Sequence, residues 1–369
     1  MDNSRWIDAT YRVRASADTI EARAQAIALE QSIELPLAAV TDARVLRDVV
    51  ARVAGIVAVA HDAFDVTIRL AAETTGHEAG QLVNMLFGNT SMHDDVSLVD
   101  AEFPDGYAAR FGGPRFGVAG LRDITGVHGR PLTCSALKPQ GLTTVQFARL
   151  ADTFVRAGID VIKDDHGLAD QSSAPFAERV PAVQRAVDIA NRETGSRCVY
   201  APSLTGHYGE IRARALDARD IGVRMLMIAP MVSGVASLAA LARDAGLPIL
   251  AHPSMAGGAR IATPLLLGKL FRVFGADAII FANSGGRFGY PPRTCTDIAD
   301  AARRPWHGLA PAMPVPAGGM TVERVPEMRA RFGDDTMLLI GGSLLVAHDD
   351  LFARCRAFVA AVAAEGEIR

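Results

Sequence analysis

Two hydrophobic rhythms divide this chain. From position 132 onward, short apolar runs without polar alternation recur at 132–137, 160–162, 198–201, 224–228, 248–251, 278–281, 313–315 and 336–340. Unbroken runs of this length suit strands buried on both faces. Between them lie helical stretches at 145–157, 180–191, 208–217, 235–245, 265–274, 294–302 and 322–331, with a last one at 352–364. Eight strand–helix units of roughly 30 residues predict a TIM (β/α)8 barrel over 132–369. A doubly wound open sheet is the alternative α/β topology. The count of eight and the lack of a GxGxxG turn after the first strand argue against it.

The first hundred residues follow a different rhythm. Positions 7–13 alternate and predict a strand, 19–29 a helix, 52–59 and 64–70 strands, and 77–87 a second helix. Positions 96–103 read as a further strand or the start of a linker. These elements predict a small α+β domain over 1–110. The glycine- and proline-rich stretch 111–131 reads as the linker to the barrel domain.

Composition adds exclusions. The 369 residues are 49% hydrophobic and 21% charged, as in ordinary globular chains. A net charge of −3 with scattered arginines argues against a nucleic-acid surface. The four cysteines, Cys134, Cys198, Cys295 and Cys355, form no CxxC pair, so no structural zinc or disulfide framework is expected, and a reducing, cytoplasmic setting is. No apolar segment follows Met1-Asp2-Asn3-Ser4-Arg5, so no secretory signal is expected. The uncharged stretch 225–242 has the length of a membrane span, but Pro230, Ser233 and Gly234 interrupt it, and a strand–turn–helix fits better than a membrane segment.

In a barrel, chemistry sits just beyond the carboxyl ends of the strands. The richest such position is Lys163-Asp164-Asp165-His166, after the second run. A lysine ending a buried strand is costly unless paired or used. Lys163 and Asp165, two apart, face one side, and Asp164 faces the other. Carbon dioxide would convert the Lys163 amine to a carbamate, which, with Asp165 and a further group, makes a divalent-cation site; a histidine such as His166 suits manganese, iron or zinc better than magnesium. The simpler alternative is a Lys163–Asp165 salt bridge without metal. Lys138 after the first run is a candidate proton carrier or phosphate contact, and His252 after the fifth an acid–base or substrate contact. The sixth run ends on 283–287, including Asn283 and Arg287. The last two end on Gly318-Gly319 and Gly341-Gly342, where backbone N–H groups can approach a phosphate.

Taken together, Gly129-Arg130-Pro131-Leu132, Leu137-Lys138-Pro139, Gly141-Leu142 and the run from Gly158 to Asp165 resemble ribulose-bisphosphate carboxylase large chains and their RuBisCO-like relatives. Phe87-Gly88-Asn89, Gly333-Asp334-Asp335 and Ile340-Gly341-Gly342 extend the resemblance over nearly the whole chain. The resemblance implies a ferredoxin-like N-terminal domain on the TIM barrel and a homodimer whose Glu30 and Asn89 complete the partner's site. It implies that Lys163 is carbamylated, that Asp165 binds one magnesium ion (Mg2+) and that His166 stands where the family's glutamate ligand belongs. It makes Lys138 a proton mover and His252 a substrate contact, and it assigns phosphate to Gly318, Gly319, Gly341 and Gly342.

The departures argue against carbon dioxide fixation. Pro253 replaces an arginine, Ala256 a histidine, Gln140 a lysine and Ala317 a serine, and the loop after the sixth strand holds only Arg287 where a mobile lysine belongs. The reading is therefore a RuBisCO-like, non-carboxylating enzyme that stabilises an enediolate of a phosphorylated keto sugar or sugar acid. The first expectation is decarboxylation of 3-oxo-isoapionate 4-phosphate in carbohydrate catabolism. The alternatives are a transcarboxylase/hydrolase on that substrate, a methylthioribulose-phosphate isomerase or enolase of methionine salvage, and a non-catalytic sugar-phosphate-binding protein. A methylthio substrate would want an apolar slot, for which Met255, Phe281 and Phe288 are candidates.

Overall fold

The computed structural model describes residues 5–286 and 288–364. The N-terminal part forms a four-stranded antiparallel sheet from β1 (Trp6–Arg14), β2 (Arg52–Ala60), β3 (Ala63–Ala71) and β4 (Val96–Glu102). Its order, β2-β3-β1-β4, is that of the ferredoxin-like fold. Alternation along β1 explains the layering. Ile7, Ala9, Tyr11 and Val13 are fully buried. Asp8 and Arg12, on the opposite face, pair with Arg69 at 2.9 Å and Asp65 at 2.7 Å on the neighbouring strand. Helices α1 (Ile20–Glu30) and α3 (Ala79–Phe87) contribute Ile20, Ala24, Ile27, Leu82 and Leu86 to the same core. A short α2 (Ala43–Asp48) leads into β2. The stretch 96–103 resolves as a strand rather than a linker.

The barrel is built from β5 (Leu132–Leu137), β6 (Val161–Asp164), β7 (Val199–Ala201), β8 (Ser203–Leu204), β9 (Leu226–Ile228), β10 (Ile249–Ala251), β11 (Ala278–Ala282), β12 (Met313–Ala317) and β13 (Met337–Leu339). All neighbours are parallel, in the order β7-β6-β5-β13-β12-β11-β10-β9-β8. The nine segments make eight staves, because β7 and β8 are one strand interrupted at Pro202. Proline has no N–H to give the ladder, but its carbonyl still accepts from Met227 N–H at 2.9 Å. β7 pairs with β6 and β8 with β9, so this broken strand closes the ring.

Side chains divide by parity. Leu132, Cys134, Val161, Met227, Leu250, Ala278, Ile280, Val315 and Leu339 fill the interior. Leu137, Ile162, Ile228, Ile249 and Phe281 face the helices instead. Those helices are α5 (Thr144–Arg156), α6 (Phe176–Thr194), α7 (Tyr208–Asp220), the short α8 (Pro230–Ser233) with α9 (Val235–Asp244), a π-helical stretch Pro264–Leu270 running into α10 (Phe271–Val273), α11 (Pro292–Arg303), α12 (Val325–Phe332), the single turn α13 (Gly342–Leu345) and α14 (Leu351–Ala363). The segment 111–131 holds a further helix, α4 (Gly117–Thr125), whose Val118 and Leu121 plug the interior stack; by chain order this α4 precedes α5.

The small sheet is tied to the barrel by backbone as well as side chains. Leu98 of β4 donates to Arg260 O at 3.1 Å and accepts from Ala262 N–H at 2.8 Å, which makes a parallel bridge to Ile261 in the loop after β10. Beside it, the buried Lys269 ammonium reaches Asp100 at 2.8 Å and Glu102 at 2.9 Å. No helix among the described residues is long and apolar enough to cross a membrane.

Candidate active site

Register brings the first two strand ends together. Ala136 lies level with Lys163 and Leu137 with Asp164, so the residues that follow, Lys138 and Asp165, emerge side by side. Their side chains pair at 2.8 Å, Lys138 Nζ to Asp165 Oδ1. The ion pair at Asp165 thus comes from Lys138 on the neighbouring strand, and not from Lys163 as the simpler alternative had it.

Lys163 follows Val161 in the inward parity and is only 3% exposed. Its Nζ donates to Asp164 O at 2.8 Å. Burial pulls this amine below its usual range, against the opposing pull of Asp165. Asp164 points outward, as alternation requires. It accepts from Tyr200 Oη at 2.7 Å, Ser203 N–H at 3.1 Å and Arg179 Nη2 at 3.3 Å, and neither charged side chain of that pair is exposed. Burial pushes its carboxyl up, against the pull of Arg179. Arg179 also donates to Ala174 O at 2.6 Å and Ala169 O at 3.0 Å, so it braces the loop after β6 from below.

Asp165 Oδ1 collects three donors: Lys138 Nζ, the backbone N–H of His166 at 2.9 Å and His166 Nδ1 at 3.0 Å. Burial opposes ionisation here, but the hydrogen bonds from His166 and Lys138 outweigh it and hold the carboxyl well below the usual range. Across the barrel mouth, His252 stacks on His166, with centroids 4.4 Å apart and planes 8° apart. His252 Nδ1 lies 2.9 Å from Ser254 Oγ and accepts from Ser254 N–H at 3.2 Å. Burial, then the charge of Lys163, pushes His252 down to about 2, so the ring is neutral. Lys138, Lys163, Asp165, His166 and His252 therefore form one cluster over the barrel centre. Ser254, which orients His252, was not singled out by the sequence reading; its signal is the histidine two residues earlier. Arg179 and Tyr200 left no comparable trace.

The other candidates lie elsewhere. Asn283 has the outward parity of Phe281; it is 1% exposed, and its Nδ2 meets the sulfurs of Met320 at 3.1 Å and Met328 at 2.8 Å, so it faces the helix layer rather than the mouth. Phe281 is likewise core, edge-on to Phe332 at 5.8 Å, so it cannot line a thioether slot, whereas Met255 and Phe288 are exposed. Arg287 lies outside the described residues. Gly318 and Gly319 have φ of 78° and 65°, and a Cβ on Gly319 would fall 2.4 Å from Gly286 Cα, so close loop packing already demands glycine there. A Cβ on Gly341 or Gly342 meets only open space. Ser343 Oγ donates to Met320 O at 2.7 Å and links these two loops. Glu30 and Asn89 make no contact with the cluster in the same chain; they bind each other at 2.9 Å beside a groove of about 210 Å3 lined by Gln31, Asn84 and Met85.

The donors present match magnesium in part. Among the described residues no three His, Cys, Asp or Glu side chains converge as a ready-made metal site. Among the described residues Asp165 Oδ2 accepts no hydrogen bond, and burial draws the Lys163 amine below its usual range, in the direction of the uncharged form that adds carbon dioxide. An oxygen-only cation fits once a Lys163 carbamate joins that free carboxylate oxygen.

Comparison with known proteins agrees with this geometry. Residues 117–365 match the model for the ribulose bisphosphate carboxylase large chain, catalytic domain. A protein of Rhodospirillum rubrum named 5-methylthioribulose-1-phosphate isomerase is 52% identical over 357 residues, 96% of each chain. Ribulose bisphosphate carboxylase-like protein 1 of Rhodopseudomonas palustris is 50% identical over 368 residues, the full length of both. The crystal structure of a Rubisco-like protein from Rhodopseudomonas palustris superposes with a TM-score of 0.92 at 45% identity, covering 99% of each chain. A lysine- and histidine-lined barrel mouth, a ferredoxin-like sheet clamped beside it and full-length similarity of this degree converge on one conclusion: the chain belongs to the ribulose bisphosphate carboxylase large-chain family, as one of its RuBisCO-like members.

Proposed function

We propose that this protein isomerises a phosphorylated methylthio-pentulose such as 5-methylthioribulose 1-phosphate. The observation that carries the reading is the Rhodospirillum rubrum relative of that name, alike over 96% of both chains. Decarboxylation of 3-oxo-isoapionate 4-phosphate, the first expectation, gains no such support, and the isomerase alternative takes its place. The site chemistry suits it. Moving a ketone carbonyl along a sugar needs a proton taken from one carbon, an enediolate held briefly, and a proton returned to another. The Lys138 ammonium, fixed by Asp165, places positive charge where that enediolate oxygen develops. The neutral ring of His252 offers one donor and one acceptor nitrogen.

When bound, magnesium would polarise the substrate carbonyl; Asp165 and carbamylated Lys163 would hold it. The loops at Gly318-Gly319 and Gly341-Gly342 would take the phosphate, and Met255 with Phe288 would border the thioether. In a homodimer, Glu30 and Asn89 of one copy would close the site of the other.

The test is to incubate the protein with magnesium, bicarbonate and 5-methylthioribulose 1-phosphate and to follow the mixture by proton and phosphorus NMR. A new isomer is expected, with no carbon dioxide released from 3-oxo-isoapionate 4-phosphate in a parallel assay. Isomer formation no faster than with Lys163→Met would overturn the reading.

A further inference from the structure

The stacked imidazoles of His166 and His252 are held in opposite tautomers. A carboxylate oxygen can only accept, so His166 Nδ1, 3.0 Å from Asp165 Oδ1, carries a hydrogen, and in the neutral ring Nε2 is the lone-pair nitrogen. A backbone N–H can only donate, so the 3.2 Å contact from Ser254 N makes His252 Nδ1 the lone-pair nitrogen and leaves the hydrogen on Nε2. A hydrogen on His252 Nδ1 would set two donors against each other. Neither Nε2 has a hydrogen-bond partner among the described residues. The rings lie 4.4 Å apart at 8°, so one small molecule over the barrel mouth can meet both.

We propose that His166 is the carbon base of the isomerisation and that His252 is the neutral imidazole that relays protons between the two substrate oxygens. This assignment rests on the isomerase reading. His166 Nε2 takes the proton from the carbinol carbon beside the ketone. The C–H electron pair becomes the C=C bond, and the carbonyl π pair moves onto oxygen. His252 Nε2–H protonates that oxygen, and the resulting imidazolate nitrogen recovers the proton of the neighbouring hydroxyl. As that hydroxyl oxygen becomes the new carbonyl, the C=C pair takes the proton back from His166 at the old carbonyl carbon. One proton has moved between carbons and one between oxygens, and both rings end as they began. Triosephosphate isomerase uses a neutral imidazole in the same electrophilic role. Asp165 and Ser254 act as positioning residues.

Magnesium's preference for oxygen donors argues against the metal role expected of His166 at its position.

The experiment uses the full-length protein with magnesium, bicarbonate and 5-methylthioribulose 1-phosphate in deuterium oxide, compared with His166→Gln and His252→Gln. Both variants should lower kcat by about 100- to 10,000-fold. In His166→Gln, deuterium entry at carbon should fall in parallel, with KM and the magnesium concentration for half-maximal activity both within about threefold of wild type. Retention of more than about a tenth of kcat in His166→Gln, or a magnesium requirement raised about tenfold, would overturn the assignment. Nitrogen-15 NMR of labelled imidazoles in the unliganded protein gives an activity-independent check: hydrogen on His166 Nδ1 and on His252 Nε2 is expected, and the same tautomer on both rings overturns the proposal. A wild-type protein that neither exchanges nor isomerises overturns the isomerase reading itself, and the catalytic roles with it; an active wild type with an active His166→Gln overturns the roles alone.

Discussion

Replacing Lys163 by methionine separates a functional lysine from a structural one. The side chain is 3% exposed, and among the described residues its Nζ has one hydrogen-bond acceptor, Asp164 O at 2.8 Å. Methionine keeps most of the packing and loses that bond, worth about 0.5–1.5 kcal/mol. Against this stands the desolvation that draws the amine below its usual range. Replacing a buried charge that has no close ion-pair partner by a well-packed apolar residue removes its desolvation penalty. Lys163→Met is therefore expected to leave the urea midpoint unchanged or raised, with an unaltered m-value, and to abolish isomerisation. The sign of the pH dependence follows from the same cause. With the folded pKa below the unfolded one, the unfolded chain binds more protons between them, and wild-type stability rises with pH through that window. The advantage of Lys163→Met is thus greatest below the folded pKa and closes as pH approaches about 10.4. A loss of about 3–5 kcal/mol in the variant, the signature of a broken buried ion pair, would refute the reasoning.

Other expectations concern the supports of the site. Arg179→Met strands the buried Asp164 carboxylate and should cost about 3–5 kcal/mol in denaturant unfolding, while Asp164→Asn/Arg179→Met should cost less than the sum of the single changes; strict additivity would show that the pair is not coupled. His252 is held near a pKa of about 2, below the ordinary imidazole value. Protonation of the unfolded chain alone should therefore remove about 1 kcal/mol of stability between pH 6.5 and 5.5, and His252→Gln should flatten that slope. Gly319→Ala faces both a φ of 65° and a backbone atom 2.4 Å from the new Cβ. It should lose at least about 1–3 kcal/mol and raise KM for the phosphorylated substrate. Lys269→Met should loosen β4 from the barrel, seen as faster hydrogen exchange at Leu98 and Ala262 with the barrel strands still protected.

The barrel was readable because every stave is buried on both faces and so spells an unbroken apolar word. The closing strand was readable only to Ala201, since Pro202 hides the short continuation Ser203–Leu204. Helix α4 was not readable, because its glycines give little propensity and its stability comes from Val118 and Leu121 entering the barrel floor. In the site, the strand-end position of Lys163 and Asp165 followed from local pattern. The true partner of Asp165 did not: it is set by the register of β5 on β6, a relation across 27 positions between Lys138 and Asp165. Asn283 misled because the sequence reads it as part of the mouth loop, whereas it lies just after β11 and keeps the outward parity of Phe281.

The bridge between Leu98 and Ile261 joins points 163 positions apart, and it fixes the loop that begins with His252. During synthesis the small sheet emerges first and must wait for most of the barrel before that loop can be tethered. Closure over such a separation is slow relative to local helix formation. A nascent chain of this kind cannot hold the loop that carries His252 in place until it is nearly complete.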